Sequence, residues 1–140
     1  MSIALKLQER LEPLLEQAGG EFRKLTKDDE PYYFVEWALD GNQQRCLYYG
    51  FAARDASKRD HEKRVPLSEL ANAIAMCARK GKFERADFDD CCSVAKSAGP
   101  CGFAIVGRSM EFLGVAEHDP DGHCFTLISS ERAAELLRDE

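Results

Sequence analysis

The apolar pattern changes period at Pro66, and that change limits what the chain can fold into more than any other feature. Before it, Tyr32–Leu39 and Arg45–Phe51 are strand-length runs rich in aromatic and β-branched residues, with Asp40-Gly41-Asn42 as the turn between them. After it, Leu67, Leu70, Ala71, Ile74 and Ala78 recur at three- and four-residue steps, the mark of a helix with one buried face. Strands grouped in one part of a chain and helices in another indicate the α+β class, here with antiparallel strands.

The rest of the chain fills in around that switch. Ile3, Leu7, Leu11, Leu14, Leu15 and Ala18 mark an opening helix that Gly19-Gly20 ends. Pro13 removes a hydrogen bond to Glu9, which predicts a kink or break near Glu12. Glu21–Leu25 pairs as a third strand through the turn at Asp28-Asp29-Glu30-Pro31. Val35, Trp37, Leu39, Leu47, Tyr49 and Phe51 form the buried face of the resulting meander. The highly charged residues 53–64 read as a solvated loop. Ser68 reads as an N-cap and Gly81 as a C-cap. A second helix runs from about Asp87 to Ser97 and a third from about Cys101 to Leu113. Strands Val115–His118 and Cys124–Ile128 flank the turn Asp119-Pro120-Asp121-Gly122, and a last helix runs from Glu131 to Arg138 after Ser129-Ser130. The boundary falls between residues 1–64 and 65–140, or the two form one compact domain. Phe88, Val106, Met110, Leu113 and Leu127 are expected in one core.

At 140 residues the chain can build a core without disulfides or metals. No apolar run is long enough for a signal peptide or a membrane span, so the expected compartment is the cytoplasm, with the six cysteines reduced. Residues 1–52 carry 6 basic and 9 acidic side chains, residues 53–85 carry 9 and 5, and residues 86–140 carry 4 and 11. A basic block thus stands inside an acidic protein, and only that block attracts a polyanion.

The order helix, helix, tight turn, helix, hairpin over residues 67–128 resembles a winged-helix domain, a helix-turn-helix fold. The resemblance is carried by SAGPCGFAIVGRSMEFLGVAEHDPDGHCFTLI, above all by Leu113-Gly114-Val115-Ala116 and Asp121-Gly122-His123-Cys124-Phe125-Thr126-Leu127. It implies a third helix laid in a DNA major groove, which requires base-reading and phosphate-binding side chains on its outer face. That face offers Arg108, Ser109 and Glu111, and the wing offers Glu117, His118, Asp119, Asp121 and His123. This set is acidic. The favoured reading is therefore a non-enzymatic, regulatory interaction module that binds a protein partner. The final helix, placed like a dimerisation helix, suggests a homodimer. The alternative is a DNA-binding transcription regulator that uses Arg79, Lys80, Lys82 and Arg85 on phosphates, with Arg108 as a further contact.

Few residues suggest chemistry. No nucleophile elbow, phosphate-binding glycine loop, dinucleotide fingerprint or H-E-x-x-H motif is present, so no enzyme is expected and no cofactor is called for. No C-x2-C exists, Cys91 and Cys92 point about 100° apart on a regular helix, and His118 and His123 have no third ligand type placed with them, so no metal is expected. Cys101 stands apart, because it follows Gly99-Pro100 at a helix start, where the dipole favours a thiolate. A thiol-based sensor there is a further alternative. Trp37, Tyr32, Tyr33, Tyr48 and Tyr49 are residues that can line a ligand cleft or stack on bases, or else divide between core and sheet surface.

Overall fold

The computed structural model describes residues 2–25, 31–50 and 63–138. Helix α1 (Ile3–Gln17) starts at Ser2, whose hydroxyl accepts from the Leu5 amide at 3.2 Å. It buries Lys6, Leu7, Leu11 and Leu15. The helix continues through Pro13, because Pro13 and Glu9 both lie on the exposed side, where water can satisfy the freed carbonyl.

Strands β1 (Glu21–Phe22), β2 (Tyr32–Leu39), β3 (Arg45–Gly50) and β4 (Arg64–Pro66) form an antiparallel sheet in chain order. The Asp40 carboxylate shapes the β2–β3 turn, accepting from the amides of Asn42 at 2.9 Å and Gln44 at 3.0 Å. The expected buried face of β2 needs correction. The register shifts between Phe34 and Glu36, and this irregularity brings Phe34 and Trp37 together on the core side with ring centroids 5.0 Å apart. Val35 is left out of the core, and Leu39 is 49% exposed. Leu47 and Tyr49 are buried as expected. Phe51, the turn at Asp28-Asp29-Glu30 and residues 53–62 of the charged segment lie outside the described residues, while Arg64 stands in β4.

Strand β4 runs directly into α2 (Leu67–Lys80), so Pro66 rather than Ser68 occupies the cap position. Gly81 ends α2 in the left-handed conformation, with φ of 85°. A short strand that the charge-rich sequence concealed follows, β5 (Lys82–Glu84). After it come α3 (Arg85–Cys91), α4 (Ser93–Ala98), α5 (Gly102–Phe112), β6 (Ala116–Asp119), β7 (Cys124–Leu127) and α6 (Ser130–Leu137). The three strands form a second antiparallel sheet in the order β5-β7-β6. The single helix expected over Asp87–Ser97 is broken at Cys92, whose backbone leaves the helical region (φ −127°, ψ 57°). The buried Glu69 of α2 completes the break: its carboxylate accepts from the Val94 amide at 2.8 Å and the Ala95 amide at 2.9 Å, capping α4 from across the interface.

Leu7, Leu11 and Leu15 of α1, Leu47 of β3, Leu70 and Ile74 of α2, and Val106 and Met110 of α5 belong to one core, which spans the expected boundary at residue 64. Phe88 and Leu113 are part of it, and Leu127 packs against it. Helix α6 turns Ala133 and Leu136, both 0% exposed, into the same core. The buried Lys6 ammonium donates to the carbonyls of Glu135 at 2.5 Å and Arg138 at 3.3 Å, covering the C-terminal end of α6. The apolar side of the final helix, whose placement suggested a homodimer, thus packs within the chain.

Candidate functional site

Two places on the molecule gather the residues singled out by sequence. The first is the corner where α2 meets β5. Lys80 Nζ lies 2.6 Å from Asp87 Oδ1 and 3.7 Å from Glu84 Oε1, and Lys82 Nζ lies 3.6 Å from Glu84 Oε2. Burial alone would raise the Asp87 carboxyl, but the Lys80 ammonium and the Glu84 amide outweigh it and hold it below the usual carboxylate range. The hydrogen bond to Asp87 in turn raises Lys80. Arg79 reaches Met76 Sδ at 2.9 Å. Arg85 does not complete this group. Its Nη1 donates to the Pro100 carbonyl at 3.3 Å, and the guanidinium lies 5.4 Å from the Phe103 ring centroid.

Helix α5, the expected groove reader, has no open face. Every residue from Gly102 to Met110 is buried except Arg108. The helix packs against α1, α2, α4, β1, β4 and β6. The outer face expected at Arg108, Ser109 and Glu111 is corrected accordingly. Ser109 is 1% exposed and donates to the Ile105 carbonyl at 2.7 Å. Arg108 Nε and Nη2 donate to the carbonyls of Arg23 at 2.8 Å and Lys24 at 3.0 Å, and Nη1 pairs with Glu111 Oε1 at 2.7 Å. The N-terminal segment covers the face that a bare helix-turn-helix would present.

The second place is a cavity of about 500 Å³ at the start of α5. Lys24, Tyr32, Arg85, Cys101, His118 and His123 line it, with apolar walls from Leu25, Pro100, Phe103, Ala104 and Pro120. Cys101, Arg85, Tyr32 and the two histidines, noted for separate reasons in the sequence, therefore meet in one space. The Arg108–Glu111 pair positions two of its walls. Arg108 holds the backbone of Arg23 and Lys24, and Glu111 Oε2 accepts the His118 amide at 2.8 Å. Burial, and then the Arg108 charge, lower the His118 imidazole, which is mostly neutral at pH 7. Lys24 is the lining residue that sequence reading missed. It lies 77 positions before Cys101, and nothing local marks it.

The cysteines separate into inert and accessible thiols. Cys46 is pushed up to about 12 and Cys77 to about 11, chiefly by burial. The break in the helix at Cys92 overturns the expected divergence of Cys91 and Cys92, whose Sγ atoms lie 3.7 Å apart. The hydrogen bond between the two lowers the half-buried Cys91 thiol and, with burial, raises Cys92. Cys101 is partly exposed and opens on the cavity. Among the described residues, no group of three His, Cys, Asp or Glu side chains is placed to hold a metal ion, and no helix is long and apolar enough to cross a membrane. No family model, curated protein or solved structure matches the chain.

Proposed function

We propose that the protein is a non-enzymatic interaction module, built around a winged-helix-like unit, that acts through a protein partner rather than by reading a DNA major groove. The succession of α2, β5, α3 and α4, α5, β6 and β7, with its β5-β7-β6 sheet, supports the winged-helix-like description. The observation that carries the functional reading is the enclosure of α5. A groove-reading helix needs side chains free to reach base edges, and here only Arg108 departs from full burial between Gly102 and Met110, with its guanidinium bonded to two carbonyls and a carboxylate. At the basic corner, Lys80 and Lys82 already share Glu84 and Asp87, which leaves little field for phosphates.

The test combines affinity capture from the native host, with and without nuclease, and titration with random and selected duplexes at several salt concentrations. The reading expects a stoichiometric protein partner retained after nuclease. It expects duplex binding that is weak, sequence-independent and carried by Arg79, Lys80, Lys82 and Arg85, with a log–log salt slope no steeper than about −3 to −4 for four phosphate contacts. Nanomolar binding to one selected duplex, lost on Arg108→Ala, overturns it.

A further inference from the structure

We infer that the cavity at the start of α5 is a binding site for a small organic anion: an apolar, ring-sized body bearing one carboxylate, sulfonate or phosphate group. Its volume of about 500 Å³ falls within the usual range of ligand pockets. Among the described residues, the charged side chains that line it, Lys24 and Arg85, are both cationic, two imidazoles stand beside them, and no carboxylate lines it.

What distinguishes these two cations from those at the α2–β5 corner is how they are held. Lys24 Nζ lies 5.1 Å from the centroid of the Tyr32 ring. The Arg85 guanidinium lies 5.4 Å from that of Phe103 and 6.0 Å from that of Phe88. Neither is within ion-pair distance of a carboxylate among the described residues. Aromatic faces fix a cation without neutralising it, so its charge and most of its N–H donors stay available to a ligand.

The start of α5 adds donors of the same sense. Cys101 makes no side-chain cap, and the first intrahelical bond is the one from the Ile105 amide to the Cys101 carbonyl at 3.2 Å. The Phe103 and Ala104 amides ahead of it therefore have no partner within the helix, and both residues line the cavity. Leu25, Pro100 and Phe103 supply apolar wall for the rest of the ligand. A bare inorganic ion would leave that wall uncovered, whereas an aromatic or branched acid covers it.

The experiment compares two fluorescent probes of the same shape: 8-anilinonaphthalene-1-sulfonate and its uncharged counterpart N-phenyl-1-naphthylamine. On the wild-type protein at low salt, the sulfonate is expected to bind once per chain, about tenfold or more tighter than the neutral probe. The double variant Lys24→Gln/Arg85→Gln should lose about tenfold or more in sulfonate affinity and leave the neutral probe unchanged. Lys82→Gln, at the paired corner, should change neither. Bound sulfonate should also slow iodoacetamide alkylation of Cys101 and leave Cys91 unaffected. Equal affinity for the two probes overturns the inference. So do unsaturable binding at several sites, undiminished binding in the double variant, and no binding at all. The probe pair on the wild-type chain decides the matter even if the variant folds poorly. The outcome is independent of whether a protein partner is captured.

Discussion

Helix α5 and the α2–β5 corner are the two regions from which a helix-turn-helix protein would be expected to touch DNA, and they are built in opposite ways. The corner is made of residues close in sequence. Lys80, Lys82, Glu84 and Asp87 pair with one another, and their charges largely cancel where they stand. Helix α5 is surrounded by elements distant in sequence, and its single arginine bonds to carbonyls about 85 residues away. A charged corner thus settles its electrostatics locally at little gain in stability, whereas an enclosed helix holds the molecule together. Which face of a helix remains free is decided by what the rest of the chain places on it.

Substitutions at the two regions should accordingly differ in size. Leu113 caps α5 and is 1% exposed, so Leu113→Ala is expected to cost about 2–5 kcal/mol in urea unfolding. A loss under about 0.5 kcal/mol would place it at the surface and dissolve the contrast. Gly107 comes next. A β-carbon there would stand 2.0 Å from the ring of Phe125, which is 0% exposed and has no room to withdraw. Alanine in mid-helix gains about 1 kcal/mol in propensity over glycine. Overpacking costs about 3 kcal/mol at the upper end of its range, so Gly107→Ala should destabilise by about 2 kcal/mol net. A stabilised variant would mean that β7 does not lie against α5.

The same contrast explains what was legible in the sequence. The helices, the 32–50 hairpin and strands β6 and β7 were readable because each rests on local periodicity and turn chemistry, as at Asp40-Gly41-Asn42 and Gly81. The short strand β5 was not, because Lys82-Phe83-Glu84 is too brief to show alternation, and its register comes from pairing with β7. The break at Cys92 depends on Glu69, 23 residues earlier, capping α4. The cavity was partly visible. Cys101, Arg85, Tyr32 and the histidines drew notice one by one, but their convergence with Lys24 is a product of tertiary packing.

Arg108 tests whether the enclosure of α5 depends on that packing. Its guanidinium satisfies two carbonyls and a carboxylate, and its side chain is 14% exposed. Arg108→Ala is expected to cost about 1.5 kcal/mol, the lower end for hydrogen bonds to a charged group, because water reaches part of the site. Amide exchange should speed up at Glu21–Leu25 and at His118, the segments tied through Arg108 and Glu111. Unchanged exchange there would mean that the arginine only decorates the surface.

The smallest expected effect belongs to the corner and is visible only in acid. The Asp87 carboxyl is held below its ordinary value of 3.8 in the folded protein, because the Lys80 ammonium and the Glu84 amide outweigh the cost of its burial. A carboxyl depressed in the folded state binds its proton less readily there than in the unfolded chain. Its contribution is therefore complete above the unfolded pKa and is lost as the pH falls through the folded one. Urea midpoints should drop as the pH falls below about 4, and Asp87→Asn should make that drop shallower. Lys80→Met should shift the loss toward higher pH, since burial then acts on Asp87 without its cation. Asp40, also held low by the Gln44 and Asn42 amides and by Arg64 against the cost of burial, contributes an acid loss of the same sign. The informative quantity is thus the difference between each variant and the wild type. Added salt should shrink it, because Lys80 is a solvent-facing partner. An acid profile of Asp87→Asn identical to that of the wild type would show that the corner charges do not pair in solution, and Lys80 and Lys82 would then be free for a polyanion after all.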